Sequence, residues 1–209
     1  MKSSRSDAFG RFVSLSISLN EDIRLIGDSL SVLDGAPQQS MRRAYVRAVF
    51  ARIEASVFAL KQLTLDRAAT DELNLGERLL LEETSYRLNK QGEIKVSPVY
   101  SSLRDSLRFT LPLLCRVLQI DYKFDFSGGW NALPSSVNVR NRITHPKESV
   151  ELNVSDREIE SVNAVLKWFD TQWCEIGRLH KELAFQRMRE DGATEKDIAA
   201  LDAQSSNLH

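Results

Sequence analysis

The chain has 209 residues, of which 42% are hydrophobic and 27% are charged. This balance is typical of a globular chain and too apolar for an intrinsically disordered one, and the length predicts a single domain. A hydrophobic core of this size needs neither disulfides nor a structural metal for stability. The formal net charge is -1, so any polyanion would have to bind a local cluster of basic side chains.

The sequence indicates a cytoplasmic protein that does not cross a membrane. No window reaches the roughly 18 consecutive apolar residues of a spanning helix, and residues 1–9 lack the apolar stretch of a secretory signal. The two cysteines, Cys115 and Cys174, are far apart and form no CxxC pair. We therefore interpret both as small buried hydrophobic residues in a reducing compartment.

Apolar residues recur at three- and four-residue spacing along most of the chain, which predicts an all-α fold. We expect an antiparallel bundle of about five to six helices. The first amphipathic stretch covers residues 9–33 and is followed by the turn sequence Asp34-Gly35-Ala36-Pro37. A second covers residues 40–65, and the short connection makes these two helices antiparallel. A shorter third helix is predicted over residues 75–88.

The segment that follows predicts a small β-hairpin arm or an irregular arm. It contains the turn residues Asn89 and Gly92 and the alternation Glu93-Ile94-Lys95-Val96, which is typical of a strand. Helical spacing returns over residues 102–120, where Pro112 is expected to kink the helix.

The remaining predicted helices lie in the C-terminal half. One covers residues 130–144, and the last long helix begins at the capping box Ser155-Asp156-Arg157-Glu158. We expect one helical domain over residues 1–190 and a polar C-terminal tail over residues 191–209. That tail carries a second capping box, from Thr194 to Asp197.

The densest basic cluster that contains a histidine is Arg140-Asn141-Arg142-Ile143-Thr144-His145-Pro146-Lys147, at the end of the predicted fifth helix. On a continuous helix, residues five apart point about 140° away from each other, so Arg140 and His145 could not share a site. Pro146 disfavours helical backbone at the residue before it. The helix is therefore expected to end at Thr144, which lets His145 turn back towards the last helical turn.

An arginine beside a histidine supplies the groups that metal-free RNA cleavage requires. Arginine binds phosphate oxygens, and histidine is the side-chain type that titrates nearest neutral pH. In that reaction a base takes the proton of the 2'-hydroxyl, a cation stabilises the crowded phosphate and an acid protonates the leaving oxygen. The histidines lack the spacing of metal ligands, and no nucleotide-binding glycine motif is present. We therefore expect neither a metal nor another cofactor.

The cluster resembles the R-x4-6-H motif of the HEPN (higher eukaryotes and prokaryotes nucleotide-binding) family, in the form where a polar residue, here Asn141, follows the arginine. The resemblance covers the motif and the helical layout around it, from residue 9 to residue 183. It implies a helical bundle, a homodimer whose two motifs face each other, and metal-independent endoribonuclease activity in toxin or phage-defence systems. The predicted arm and long last helix depart from a minimal HEPN module, which leaves the subfamily and the RNA target open.

The motif positions assign a role to each candidate catalytic residue. We expect Arg140 to clamp the scissile phosphate, His145 to act as general base or acid, and Asn141 to hold the loop or the phosphate. The residues predicted to bind RNA around them are Arg142, Lys147 and Arg47.

Glu54 is a candidate for orienting Arg140. It shares one side of the second predicted helix with Arg43 and Arg47, on the shoulder of the apolar stripe. These side chains would line a phosphate groove under one interpretation. Under the other, which the sequence favours, they form a solvated surface with one ion pair.

Three classes of function remain open. The first is an endoribonuclease that acts on RNA as a homodimer, with a cognate antitoxin or regulatory protein as a further partner. The second is a non-catalytic HEPN-like module that binds a nucleotide or a partner protein. The third is a helical scaffold or antitoxin-like regulator, which would neither cleave RNA nor depend on His145. The plain structural alternative for the motif is a helix end with a solvated arginine and histidine.

Overall fold

The structure, a computed structural model, describes the backbone of residues 5–69 and 71–199 and, from residue 15 onward, their side chains. The main helices are α1 (Arg5–Leu30), α2 (Gly35–Arg67), α3 (Leu75–Leu81), α4 (Leu103–Leu118), α5 (Gly129–Thr144) and α6 (Asp156–Glu190). A short 3-10 helix, Ser149–Leu152, lies between α5 and α6. The strands β1 (Thr84–Leu88) and β2 (Ile94–Pro98) form an antiparallel hairpin. The predicted all-α fold with a small β-hairpin is confirmed.

The long helix α2 is the centre of the bundle, because it contacts all five of the other main helices. Its buried apolar side chains recur every three or four residues, as one face of a helix requires; they are Tyr45, Val46, Val49, Phe50, Ile53, Val57 and Leu60. They pack against buried residues of α4, α5 and α6, among them Leu107, Leu111, Leu114, Leu133, Ile143, Val162, Val165 and Phe169. The candidate site is built on the edge of this core.

Several helix boundaries differ from the sequence-based expectation. The helix predicted to run to residue 88 ends at Leu81, because Glu83 adopts a left-handed backbone conformation with φ of 53° and the chain then enters β1. The turn predicted at residues 34–37 lies earlier, at Ser31 and Val32, because α1 ends at Leu30 and α2 already begins at Gly35. Pro37 fits the first turn of α2, where backbone N–H groups have no helical acceptor.

The prediction that both cysteines are buried is confirmed for Cys115 and wrong for Cys174. Cys115 is buried in the core, and this burial raises the pKa of its thiol to about 11. Cys174 is exposed, because it lies between the buried positions Gln172 and Ile176 on α6 and points away from them. Pro112 lies inside α4, which continues through it to Leu118, and a kink there stays a prediction.

The described part of the predicted tail is structured. Thr194 and Asp197 form the expected capping box, with each side chain accepting a hydrogen bond from the other residue's backbone N–H. Residues 195–199 are helical and Ile198 is buried, while residues 200–209 of the predicted tail lie outside the described residues. None of the described helices combines the length and the apolar character needed to span a membrane.

Close packing between α5 and α6 fixes where α5 begins. A Cβ atom at Gly129 would clash with the Ala164 carbonyl oxygen and lie 2.5 Å from Trp168 Cβ. Only glycine lets the two backbones approach this closely. The two helices run antiparallel, so the residues that join them, 145–155, return the chain from the end of α5 to the start of α6.

We expect Gly129→Ala to destabilise the protein by about 1–3 kcal/mol, because the α6 backbone must move to admit the methyl group. The matched control is Gly177→Ala on α6, where an added Cβ meets nothing within 4 Å. The control should stabilise the helix by about 0.5–1 kcal/mol. Urea unfolding followed by circular dichroism measures both changes. Equal stability of the two variants would contradict this packing argument.

Candidate functional site

The end of α5 has the geometry expected from Pro146. The helix ends at Thr144, and His145 follows in a non-helical conformation with φ of -128° and ψ of 58°. The backbone N–H of His145 still donates to the Asn141 carbonyl at 3.0 Å. The imidazole is exposed, and none of the described residues forms a hydrogen bond with it. The predicted helix end is therefore confirmed.

Arg140 is held by α2 on two sides. Its Nη2 donates to Glu54 Oε1, and its Cζ lies 5.6 Å from the centroid of the Phe50 ring. Its Nε is buried without a hydrogen-bond partner. Glu54, the candidate for orienting Arg140, is thus paired with it. The Arg140 side chain is partly buried, and the ion pair and the ring contact together restrict its direction.

Arg142 connects the end of α5 to the start of α6. Its Nη2 donates to the Asn153 carbonyl and to Glu158 Oε1, both at 2.9 Å. Glu158 also closes the capping box with Ser155 at the first turn of α6. The confirmed capping box and the arginine therefore share one carboxylate.

Three arginines of α2 hold the segment that joins α5 to α6, and we call Arg42, Arg43 and Arg47 the arginine ladder. Each donates a guanidinium hydrogen bond to a backbone carbonyl of the last turn of α5 or of the connecting segment. The contacts are Arg47 Nη2 to Ile143 at 2.6 Å, Arg43 Nη1 to Leu152 at 3.1 Å and Arg42 Nη1 to Val154 at 2.8 Å. Carbonyls without helical partners are in this way satisfied by charged donors.

The connecting segment is also fastened at Val154, which is fully buried. Gln39 donates to the Val154 carbonyl at 3.1 Å and accepts from the Val154 N–H at 2.9 Å. Such a reciprocal pair satisfies both backbone groups of one buried residue, which would otherwise be costly to leave unbonded. The segment that begins at His145 therefore has a defined path over α2.

The structure separates the predicted RNA-binding residues into engaged and available groups. Arg47 and Arg142 already donate to protein acceptors, and their RNA contacts stay predictions. Lys147 is exposed, and its ammonium has no partner within the described residues; only its backbone N–H is bonded, to Glu151 Oε2 at 2.6 Å. The amide side chain of Asn141 is exposed as well.

Ion pairs or hydrogen bonds connect some residues of the predicted site but not others. Arg140 and Glu54 are directly paired, and Asn141 and His145 are linked through the backbone. No hydrogen bond joins the side chains of Arg140 and His145 in the described structure. Within the same residues, no group of three or more His, Cys, Asp or Glu side chains is arranged to hold a metal ion.

Sequence reasoning missed Phe50, Arg42 and Gln39, which position the site without belonging to the motif. Phe50 lies at a core position of the α2 periodicity, and nothing in the sequence indicates its contact with Arg140. The close spacing of basic residues near the start of α2 was the available signal for the arginine ladder.

No protein-family model, curated protein or solved structure matches this chain. The similarity to HEPN proteins therefore depends on the motif residues Arg140, Asn141 and His145 and on their place at the end of α5.

We expect Arg43→Met to loosen the connecting segment, because it removes the donor to the Leu152 carbonyl and keeps an unbranched side chain. A hydrogen bond from a charged group contributes about 1.5–3 kcal/mol, so the amides of Asn153 and Val154 should exchange with solvent about tenfold faster or more. Arg157→Met is the matched control, since the exposed Arg157 guanidinium has no partner among the described residues. Equal exchange rates in the two variants would contradict a positioning role for the arginine ladder.

Proposed function

We propose that this protein is a metal-independent endoribonuclease that cleaves RNA by attack of a ribose 2'-hydroxyl on the adjacent phosphate. The observation that carries the proposal is the arginine held by Glu54 and Phe50 in the last turns of α5, which end at an exposed histidine. The resemblance of the same residues to the R-x4-6-H motif supports it.

Arg140 would stabilise the phosphate. Glu54 engages only Nη2, and Nη1 has no partner in the part of the chain that the structure describes. A non-bridging phosphate oxygen can therefore accept a hydrogen bond from Nη1 while Glu54 keeps the guanidinium in place. Pre-oriented donors of this kind stabilise developing charge without reorganising during the reaction.

His145 would move the protons. As a base, its imidazole takes the proton of the 2'-hydroxyl while the 2'-oxygen forms a bond to phosphorus. The bond from phosphorus to the 5'-oxygen then breaks, and an acid protonates that oxygen. The products are a 2',3'-cyclic phosphate and a 5'-hydroxyl. Asn141 and Lys147, both exposed beside the histidine, would contact the phosphate chain.

The chemistry favours two copies of the chain. The attacking and leaving oxygens lie on opposite sides of phosphorus, so one imidazole is poorly placed to serve both. A homodimer with facing motifs would supply a second His145 and would double the positive charge around the RNA.

The biological setting that we propose follows from the resemblance. A cytoplasmic toxin or phage-defence nuclease would be held inactive by a cognate antitoxin or regulatory protein until it is needed. A partner that covers the end of α5 would be sufficient to inhibit the nuclease, because the imidazole of His145 and the Lys147 ammonium are exposed there.

A non-catalytic HEPN-like module that binds a nucleotide or a partner protein is the second candidate. The observation in its favour is that Arg47, Arg142 and one terminal nitrogen of Arg140 already donate to protein acceptors. Fewer cationic donors then remain for a reacting phosphate. Such a module would bind its ligand without cleaving RNA.

We expect the purified protein to cleave single-stranded RNA in excess EDTA and to leave 2',3'-cyclic phosphate ends. Arg140→Ala and His145→Ala should each lower kcat by about 10²-fold or more, the usual contribution of such groups. Glu54→Gln should lower kcat less, because it loosens Arg140 without removing it. Gel electrophoresis of end-labelled RNA and mass spectrometry of the ends measure these effects.

Arg157→Ala provides the control for this assay, since it removes an exposed cation from α6 and should leave kcat unchanged. Circular dichroism should give the same helicity for all variants, because none of these side chains belongs to the apolar core. Strict dependence on added magnesium or zinc would contradict the proposal. RNA binding without cleavage would favour the second candidate.

We also expect inactive Arg140→Ala and His145→Ala proteins to regain part of the activity when they are mixed. If the two motifs share one substrate, a heterodimer still contains one intact arginine and one intact histidine, and water can take the second proton-transfer role at a lower rate. Mixing after mild unfolding and refolding allows exchange of subunits, and native mass spectrometry verifies the heterodimer. A verified heterodimer without activity, or an active species that sediments as a monomer, would contradict the shared site.

A further inference from the structure

One face of the hairpin is apolar towards the turn, and Thr84 and Pro98 follow on the same face at its base. Side chains alternate between the two faces of a strand, which places Tyr86, Leu88, Ile94 and Val96 on one side. Tyr86 pairs with Val96 and Leu88 pairs with Ile94 across the two strands. Their exposed fractions are 53%, 69%, 72% and 55%. We call these four residues the hairpin face; Tyr100, 83% exposed, continues the alternation beyond β2.

The opposite side of the hairpin is polar and contributes little to its stability. Arg87 lies directly across from Lys95, and like charges in that position destabilise a strand pair. A two-stranded hairpin is at best marginally stable in water without further packing. Within the described residues, β1 contacts α3 at the base of the hairpin. An apolar cover on the hairpin face would therefore stabilise the arm.

We propose that the hairpin face is the contact between two copies of this chain, packed face to face about a two-fold axis. The exposed parts of the hairpin face and Tyr100 amount to roughly 600 Å² a chain, the upper end of apolar patches on typical monomers. A two-fold contact would bury on the order of 1,200 Å² in total, which reaches the size of specific protein interfaces.

The distribution of charge favours a second copy over other occupants. The hairpin face carries no charged side chain, so a nucleic acid would instead contact the opposite side, with Arg87 and Lys95. In a face-to-face pair these two cations point away from the contact and do not repel the second copy. Pairing of the strand edges would leave the apolar side chains in water, whereas face-to-face packing removes them from it.

The hairpin face and the candidate site lie at different positions along α2. Lys61 Nζ donates to Glu83 Oε1 at 2.8 Å beside the base of the hairpin, while Arg47 contacts the end of α5. The helical rise of 1.5 Å per residue places Arg47 and Lys61 about 21 Å apart along α2. The inference therefore does not depend on the nuclease proposal.

Sedimentation equilibrium of the full chain tests the proposal, with Leu88→Glu and Ile94→Glu as the disrupting variants. Each would bury an unpaired carboxylate in the contact, so we expect dissociation to be at least tenfold easier than in the wild type. The matched controls are Arg87→Glu and Lys95→Glu, which change the charge of neighbouring residues on the opposite side of the hairpin. These controls should remain dimeric.

The disrupting variants should keep the wild-type circular dichroism and melting temperature of the helical bundle at low concentration, because Leu88 and Ile94 are largely exposed. A monomeric wild type at about 50 µM would overturn the proposal. Dimers that persist in both glutamate variants would also overturn it, as would equal dissociation of the control variants. The experiment uses no RNA, so its result is independent of whether the protein is a nuclease.

Discussion

The candidate site depends on hydrogen bonds from the guanidinium groups of α2 to backbone carbonyls at the end of α5 and beyond it. A segment between two helices has carbonyls that no helical N–H can satisfy, and each would be costly to leave buried and unbonded. The arginine ladder satisfies those of Ile143, Leu152 and Val154. Without these donors, the segment that begins at His145 would lose three of the contacts that fix its path over the core.

The same helix also orients Arg140, through Glu54 and the ring of Phe50. One rigid element therefore sets both the arginine and the backbone that follows the histidine. Sites built on helices hold their geometry better than sites on loops, provided that a supporting shell locks the side chains. The inner stripe of α2 supplies that rigidity, since Val46, Val49 and Ile53 are fully buried.

The features that depend only on residues close together in the sequence could be predicted. The periodicity of α2 and α6, the Ser155 capping box and the helix end before Pro146 follow from neighbouring residues. The left-handed conformation of Glu83 was missed because this conformation normally favours glycine or asparagine. The arginine ladder was missed for another reason: its acceptors are backbone carbonyls about 100 residues away, and carbonyls carry no sequence signature.

The pairing of the basic residues also limits how the chain could bind a polyanion. Arg42, Arg140 and Arg142 are paired with Asp156, Glu54 and Glu158. A cationic motif in the sequence is thus largely neutralised in the fold, which agrees with a net charge of -1. Each phosphate contact contributes separately to affinity, so Lys147 and the remaining donor of Arg140 would bind RNA weakly in a single chain. A homodimer with facing motifs would present twice as many of these contacts to one RNA, so association would increase RNA affinity without any further basic residue.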